Sequence, residues 1–305
     1  MTAVGWPPLC AVVLAAGEGT RLRPLTERRP KALCPVGNVP LLDLVLDRLA
    51  GLGLTGPRRV AVNASYLAGQ VIRHVGARAQ LSVEPDGPLG TAGGVANLRG
   101  WIDGRGVLVG NADAYLADPA RRPGPDIAAL LDGWDGETVR LLGQPAPDSS
   151  APGTFAGHAF TGFSLLPWRR VRELPVEFGD LVRSVWRPAE ADGELTVVRY
   201  AGMFYDTGTP ADYLAANLHA VGGGTLVDRT AVVTGRCREA VVGAGAVVHG
   251  DVTRAVVWPG GTVHPGELLR DAVRAGADLT VGIGQPPRAE ASSMSDDADE
   301  RRTIQ

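Results

Sequence analysis

Two close glycines, several arginines and a lysine stand together near the start of the chain. The stretch LAAGEGTRLRPLTERRPKAL runs from Leu14 to Leu33, and Lys31 is the only lysine among 30 basic residues. Glycines let backbone N–H groups approach an oxyanion closely, so a glycine-rich turn after an apolar run indicates either a phosphate site or an ordinary tight turn. The dinucleotide and Walker fingerprints do not fit, because Leu22 takes the place of the third glycine and no Gly-Lys-Ser/Thr follows.

Two aspartates follow apolar runs later in the sequence. Asp113 comes after the run 107–109, and Asp206 comes after Gly202–Tyr205. An isolated aspartate in such a place more often caps a helix or closes a turn. If both strand ends face one crevice, the two carboxylates supply the hard oxygen ligands that Mg²⁺ prefers.

The first two-thirds of the chain alternates short apolar runs with segments of helical periodicity. The runs at 10–14, 59–62, 81–84 and 107–109 predict strands, and the segments at 41–52, 66–75 and 91–98 predict helices. This alternation predicts an α/β fold with a doubly wound, mostly parallel sheet of the Rossmann-like kind. Ligands bind such sheets where loops leave the carboxyl ends of the strands.

A Val- and Gly-rich segment begins after about Gly222. Apolar residues recur there six positions apart, as at Val227 and Val233 or Val241 and Val247. This spacing favours a short, left-handed parallel β-helix, and an antiparallel meander is the alternative. We therefore predict three regions, namely a catalytic domain at 1–222, a β-helix-like domain at 223–284 and a disordered tail at 285–305.

Composition excludes several classes of protein. The chain has 305 residues, 45% of them apolar and 21% charged, with a formal charge of −3. This balance gives no reason to expect nucleic acid or an anionic membrane as a partner. Three cysteines without a C-x-x-C spacing fit a reducing cytoplasm. There is no secretory pattern at the start and no apolar run near the ~20 residues of a membrane span.

The opening stretch resembles the signature of the sugar-1-phosphate nucleotidylyltransferases. The signature is G-x-G-T-R-L-x-P-L-T followed by P-K-A-L, here at 17–26 and 30–33. Four further motifs follow in the order of that family: PLGTAGG at 88–94, GNAD at 110–113, TGFSLLP at 161–167 and YDTGTPADYLAAN at 205–217. The Val/Gly segment with VVWPGG is similar to the β-helix tail that many members carry.

The resemblance implies a reaction in which an NTP and a sugar 1-phosphate give an NDP-sugar and pyrophosphate. It implies Arg21 and Lys31 as the catalytic cations and Mg²⁺ held by Asp113 and Asp206. An anionic phosphate oxygen attacks another phosphate, so catalysis requires alignment and cations rather than a general base. A compact ammonium suits the space between the phosphates better than the planar fork of arginine does.

The resemblance also implies binding residues. For the nucleotide these are Leu14, Ala15, Ala16, Gly17, Gly19, Thr20, Arg21, Glu84, Gly90 and Thr91. For the sugar they are Asn111 and Gly162. The arginines at 28 and 29 match no such role, and we expect them to be solvated.

Two departures from the family pattern leave the substrate open. Position 112 is alanine where the family usually has glycine. The Glu-Lys pair that clamps the sugar phosphate in many members is missing, and Arg140 or Arg199 could replace it. This gap resembles the short uridylyltransferases that act on muramic acid phosphate, whereas PLGTAGG resembles mannose- or heptose-phosphate guanylyltransferases. GTP with a mannose-like sugar phosphate is favoured, and UTP with an amino-sugar or muramic acid phosphate is the alternative.

Two other classes of function stay open from the sequence. A glycosyltransferase would share the sheet, the metal and the nucleotide, but it usually has Asp-x-Asp where this chain has Asn111. A regulatory subunit that senses nucleotide sugars typically loses the reactive residues that are present here. The C-terminal segment is expected to be either a packing or dimerisation module, which would make the protein a homo-oligomer, or a solvent-facing cap.

Overall fold

The structure is a computed structural model that describes residues 7–151 and 153–283. The tail predicted at 285–305 lies outside the described residues. The strands of the first part are β1 (Leu9–Leu14), β2 (Pro35–Val36), β3 (Val39–Pro40), β4 (Val60–Ala64), β5 (Gln80–Val83), β6 (Gly106–Asn111), β7 (Ala114–Ala117), β8 (Val139–Pro145), β9 (Thr154–Phe155), β10 (His158–Leu166), β11 (Leu195–Arg199) and β12 (Met203–Asp206).

The helices lie between these strands and cover the sheet. They are α1 (Leu25–Arg28), α2 (Leu41–Gly51), α3 (Ala68–Val75), α4 (Gly90–Asn97), α5 (Arg99–Ile102), α6 (Trp168–Val171), α7 (Arg187–Ala191) and α8 (Pro210–Val221). Single turns of 3₁₀-helix occur at Thr20–Leu22, Lys31–Leu33 and Ala128–Leu130, and a π-helical turn occurs at Val182–Trp186. Among the described residues, no helix is both long enough and apolar enough to cross a membrane.

The central sheet is rich in parallel pairs, as the sequence predicts. Its strand order is β11-β8-β10-β6-β1-β4-β5. The pairs of β1 with β4 and β6, of β4 with β5 and of β8 with β11 are parallel, whereas β10 runs antiparallel to β6 and β8. The antiparallel strand is a feature that the alternation of strands and helices did not predict.

Strand β1 is apolar throughout because helices cover both of its faces. Ala11 and Val13 pack in the core that contains α2 residues such as Val45. Cys10 and Val12 point to the other face and join the core that contains Val95 of α4. Alternation of side chains along the strand thus divides the core into two layers.

Helix α8 is bounded by clear sequence signals. The Thr209 side chain accepts a hydrogen bond from Asp212 N, and Pro210 occupies the first turn, where no N–H donor is needed. The helix ends at Gly222, which adopts a φ of 55°. The buried side of α8, including Tyr213 and Leu214, faces the C-terminal part of the chain.

The C-terminal part consists of short strands that return to the same two sheets. They are β13 (Leu226–Val227), β14 (Val232–Val233), β15 (Arg236–Val242), β16 (Val247–Val248), β17 (Asp251–Val257), β18 (Thr262–Val263), β19 (Leu268–Ala275) and β20 (Leu279–Gly282). One sheet has the order β13-β15-β17-β19-β20 and the other β14-β16-β18. All of these pairs are parallel except β19 with β20, so the strands do not form the antiparallel meander.

The registers explain the six-residue repeat. Val227 pairs with Val242, and Val233 pairs with Val248, so stacked residues are 15 positions apart there, and they are 17 apart between β17 and β19. Residues six apart, such as Val227 and Val233, therefore lie on the two strands of one pass and not on top of each other. The six-residue spacing is therefore the number of positions from a residue in a strand of one sheet to the corresponding residue in the next strand, which belongs to the other sheet.

Candidate functional site

A cavity of about 320 Å³ opens at the carboxyl ends of β1 and β6. The cavity is lined by Leu14, Ala15, Ala16, Gly17, Gly19, Thr20, Arg21, Lys31, Ala32, Asn63, Pro88, Gly90, Thr91, Asn111, Ala112, Asp113 and Gly208. The two strands end side by side, since Leu14 is in register with Asn111 and Ala112 N donates to Leu14 O at 3.0 Å. Parallel pairing thereby delivers the glycine-rich loop and the GNAD segment to one edge of the sheet.

Two glycines of the loop have different physical roles. A Cβ on Gly17 would have no atom within 4 Å, so this position faces open space. Gly19 has a φ of 62°, and a Cβ there would lie 2.9 Å from Thr26 Cγ2 and 3.0 Å from Lys31 Cβ. Gly19 therefore lets the loop lie directly against the Lys31 side chain.

Lys31 is held between the two aspartates that the sequence singled out. Its Nζ lies 2.8 Å from Asp113 Oδ2 and 3.4 Å from Asp206 Oδ1. Only 9% of the lysine side chain is exposed, against 41% and 50% for the two aspartates. The ammonium is thus nearly buried against the two carboxylates, which are themselves about half exposed.

Pairing of β7 with β12 brings the two aspartates together. Asp206 is in register with Ala114, the residue after Asp113. Thr207 strengthens this contact, because its hydroxyl donates to Asp113 O at 2.8 Å. Residues that lie 93 positions apart in the chain are in this way placed at one point.

The donor set fits a hard divalent cation. Among the described residues, no group of three or more His, Cys, Asp or Glu side chains could hold a metal ion. Asp113 and Asp206 could supply two carboxylate ligands, with water and phosphate oxygens in the other positions. Mg²⁺ takes such a shell, since it commonly keeps several waters and uses one or two protein carboxylates.

Arg21 lies at the open side of this cluster. Its Nη2 is 3.2 Å from Asp206 Oδ2, and 66% of its side chain is exposed. Gly208 lies beneath the guanidinium, where a Cβ would be 2.7 Å from Nη2. Gly208 was not among the predicted site residues, although its YDTGTP motif was available as a signal.

Asn63 is a second site residue that the sequence analysis missed. Its Oδ1 accepts from Ala15 N at 2.7 Å, and its Nδ2 donates to Glu84 Oε1 at 2.8 Å. The other oxygen of Glu84 accepts from Leu89 N at 2.8 Å. The available signal was an asparagine inside the otherwise apolar strand VAVNA, next to the carboxyl end of β1.

The structure places Glu84 behind the cavity wall. Only 3% of this residue is exposed, and it is not one of the cavity-lining residues. Through Asn63 it connects the loop after β1 with the PLGTAGG loop. A direct contact of Glu84 with a nucleotide stays a prediction.

The PLGTAGG loop lies on the opposite wall. Gly90 and Thr91 both line the cavity, and Thr91 Oγ1 accepts from Leu181 N at 2.8 Å. A Cβ on Gly90, whose φ is 72°, would lie 2.3 Å from Gly179 O. The backbone at 179–181 therefore supports this wall from behind.

The two predicted sugar residues differ in position. Asn111 lines the cavity, whereas Gly162 does not. Gly162 has a φ of 92°, and a Cβ there would meet Ala114 Cβ at 2.4 Å. It lies where the register of β10 with β8 shifts, so close packing on β7 already accounts for a glycine at this position.

The remaining arginines correct two expectations. Arg140 donates to the carbonyl groups of Leu130, Asp132 and Gly133, and neither it nor Arg199 lines the cavity. The expectation that residues 28 and 29 are solvated holds for residue 28, whose side chain is 41% exposed, but not fully for residue 29, which is half-buried. Arg28 is hydrogen-bonded to Asp278, and the Arg29 guanidinium lies 5.1 Å from the centre of the Trp258 ring.

Cys34 follows Lys31 closely but offers no nucleophile. Its side chain is fully buried, and this burial raises the pKa of the thiol to about 12. The sulfur is hydrogen-bonded to Pro30 O at 3.8 Å and stays protonated near neutral pH. Cys34 therefore adds no thiolate to the site.

Comparison with known proteins identifies the class to which this fold and site belong. The nucleotidyl transferase family matches residues 10–122. The glucose-1-phosphate thymidylyltransferase of Streptomyces antibioticus is 30% identical over 282 residues, which cover 78% of this chain and 74% of that protein. The chain belongs to the nucleotidyl transferase family, in its sugar-1-phosphate branch.

Two further relatives, similar over shorter stretches, carry names that state different substrates. The mannose-1-phosphate guanylyltransferase of Mycobacterium tuberculosis is 35% identical over 127 residues, which are 40% of this chain and 33% of that protein. The N-acetylmuramate alpha-1-phosphate uridylyltransferase of Caulobacter vibrioides is 35% identical over 140 residues, 43% of this chain and 55% of that protein. The chain thus matches about a third to a half of the length of these relatives.

A solved structure supports the fold alone. It is a Bacillus anthracis protein described as a glucose-1-phosphate thymidylyltransferase in complex with a sucrose, and it superposes with a TM-score of 0.58 at 18% identity. The match covers 70% of this chain and 95% of that one.

Proposed function

We propose that this protein transfers a nucleoside monophosphate from an NTP to a sugar 1-phosphate, with release of pyrophosphate. The observation that carries the proposal is the cluster of Lys31, Arg21 and Asp113, which line a glycine-rich cavity, with Asp206, which pairs with both cations. In the described part of the chain, Lys31 and Arg21 are the cationic side chains that line this cavity. The family relationship gives independent support.

The proposed reaction needs cations and alignment more than proton transfer. An oxygen of the sugar phosphate forms a bond to the α-phosphorus, and the bond from that phosphorus to the bridging oxygen of the β-phosphate breaks. The electron pair leaves with pyrophosphate. Because the attacking oxygen is already anionic, no general base is required, and the barrier is largely repulsion between the two reactants.

Each cation has a distinct task in this proposal. Lys31 is nearly buried and paired with both aspartates, so its ammonium is preorganised beside the α-phosphate. Arg21 is exposed and can turn toward the departing pyrophosphate, where its planar fork fits two phosphate oxygens. Asp113 and Asp206 would hold Mg²⁺, which would neutralise phosphate charge when bound.

The walls of the cavity suit a nucleotide. The small side chains at 15–17 leave the backbone open toward the ligand, and the PLGTAGG loop faces them across the cavity. The polar side chain of Asn111 lies at the end of β6 and is available to a sugar hydroxyl.

We favour GTP and a mannose-like sugar phosphate as the substrates. The PLGTAGG loop and the similarity to a mannose-1-phosphate guanylyltransferase support this choice. The alternative is UTP with an amino-sugar or muramic acid phosphate, which the missing Glu-Lys pair and the similarity to N-acetylmuramate alpha-1-phosphate uridylyltransferases favour.

The C-terminal strands have the pairing that is typical of a parallel β-helix. Parallel passes that feed two sheets are what a short β-helix would have, and we propose that architecture for residues 223–283. A homo-oligomer formed through this part stays a proposal as well.

The deciding experiment is a panel assay of pyrophosphate release. Purified protein with Mg²⁺ is combined with each of four NTPs and with the 1-phosphates of mannose, glucose, N-acetylglucosamine and N-acetylmuramate. GTP with mannose 1-phosphate is expected to react fastest, and Lys31→Gln serves as the inactive control. If no substrate pair releases pyrophosphate and the protein binds a nucleotide sugar tightly, the proposed enzyme is wrong and the protein is a nucleotide-sugar sensor.

A further inference from the structure

The segment just before Lys31 is held by the C-terminal strands. Arg28 Nη1 donates to Ala275 O at 2.9 Å, and the guanidinium makes a two-point contact with Asp278 at 2.9 and 2.7 Å. Gly276 leaves the necessary space, because a Cβ there would lie 2.9 Å from Arg28 Nη1. This contact joins residue 28 to residues 275–278, some 250 positions further along the chain.

A second contact holds the next residue. The Arg29 guanidinium lies over the ring of Trp258, which is 3% exposed. Trp258 Nε1 donates to the Tyr213 hydroxyl at 2.9 Å, and that hydroxyl donates to Pro35 O. The same tryptophan therefore reaches the chain both before and after Lys31.

Further contacts follow on the other side of the lysine. Asn38 Nδ2 donates to Val242 O of β15 at 2.9 Å. The turn at 31–33 is short, with Cys34 N bonded to Lys31 O at 3.0 Å, so little slack separates Lys31 from these anchors. Among the described residues, none that lines the cavity comes from beyond Gly208. The C-terminal strands touch the lysine segment without entering the cavity.

We propose that the C-terminal strands position Lys31 for the reaction, with Arg28, Asp278 and Trp258 as positioning residues. The proposal rests on the proposed function for its effect on turnover. An exposed ion pair alone adds little stability. Its effect on a fixed ammonium can be larger, because a misplacement of ~1 Å at a reacting centre can cost about 10²-fold in rate.

The test uses the fact that Lys31 is the only lysine of the chain. Full-length protein labelled with ¹⁵N-lysine gives one lysine amide resonance, which reports on this segment without any activity. Asp278→Asn and Arg28→Gln remove the same contact from its two sides. Asp271→Asn is the matched control, since Asp271 pairs with Arg254 at 2.8 Å in the same strands without touching residues 28–38.

We expect the resonance of Lys31 to shift or broaden in Asp278→Asn and Arg28→Gln and to stay in place in Asp271→Asn. With the substrate pair that the panel assay identifies, kcat should fall about tenfold in both variants, with the KM of the NTP within about twofold of the parent. The double variant should be no slower than either single variant, because both remove one contact.

The results that would overturn the positioning role of the C-terminal strands differ from those that would overturn the proposed reaction. An unmoved resonance in both variants, or an unchanged kcat despite a moved resonance, overturns the proposal. An equal loss of kcat in Asp271→Asn also overturns it, because the effect would then be general destabilisation. If the parent releases no pyrophosphate with any substrate, the proposed function fails, and the resonance alone decides whether the strands position Lys31.

Discussion

The single lysine of this protein is nearly buried between a glycine loop and two carboxylates. Its stem passes beneath Gly19, and its Nζ is bounded by Asp113 and Asp206. Arginine would keep the charge but spread it over a planar group with a fixed set of donors. Charge and shape can therefore be separated by experiment at this residue.

Lys31→Arg is expected to lower kcat by about 10²-fold, the scale of losing one preorganised electrostatic contact. The measurement is steady-state pyrophosphate release with the substrate pair identified in the panel assay. Arg23→Lys is the control, since Arg23 pairs with Glu18 and does not line the cavity. A rate for Lys31→Arg within a few-fold of the parent would mean that the identity of this cation is incidental.

The two carboxylates give a second prediction at this scale. Asp113→Asn and Asp206→Asn should each raise the Mg²⁺ concentration for half-maximal activity by about tenfold, because each removes one anionic ligand. A magnesium titration of initial rates measures the change. Asp86→Asn, an exposed position outside the cavity, should leave the titration unaltered. Unaltered titrations in both Asp113→Asn and Asp206→Asn would remove these residues from the metal site.

At the scale of elements, the site depends on where strands end. Strands β1 and β6 end in register at the cavity floor, and the pair β7–β12 adds the second aspartate from a separate two-stranded sheet. The short turn after β12 carries Gly208, over which the Arg21 guanidinium lies. The position of Arg21 is thus set by an element remote from it in sequence.

Gly208→Ala should displace Arg21 with little effect on stability. The added Cβ meets the far end of a flexible side chain, which can move away, so we expect the melting temperature to change by no more than about 2 °C. The KM of the NTP should rise about fivefold as the guanidinium leaves its position. Gly100→Ala is the matched control, since a Cβ there has no neighbour within 4 Å. An unchanged KM in Gly208→Ala would contradict this role of the turn.

At the scale of the whole molecule, the C-terminal strands and the catalytic part share one apolar core. Val241, Val256 and Val273 pack with Leu22 and Tyr213 in the same cluster. Burial of such side chains contributes about 25 cal/mol per Å² of apolar surface. Removal of these strands would expose the underside of the loop that carries Arg21 and Lys31.

A fragment of residues 1–222 should therefore be less stable than the full chain. We expect a lower melting temperature or loss of soluble protein, because the exposed cluster favours association. Circular dichroism and gel filtration of both proteins provide the comparison. A fragment that keeps both the melting temperature and kcat of the full chain would show that the C-terminal strands are a separable cap.

Local signals were sufficient to predict much of this protein. Apolar runs and helical periodicity predicted four strands of the central sheet, β1, β4, β5 and β6, and the helices α2, α3 and α4, because these elements follow from which faces are buried. The sequence of the glycine loop, with Lys31 and the two aspartates, was enough to indicate phosphate chemistry. The predicted elements and the phosphate chemistry could be inferred because they depend on residue types and on short spacings along the chain.

Other features were decided only by the tertiary structure. The contact of Asp113 with the Asp206 turn needs the pairing of β7 with β12, and the contacts of residues 28 and 29 need strands more than 200 positions away. Glu84 lies behind the wall because Asn63 and Leu89 hold its carboxylate. No local pattern encodes such contacts, since they arise when distant segments pack against each other and their buried polar groups must find partners.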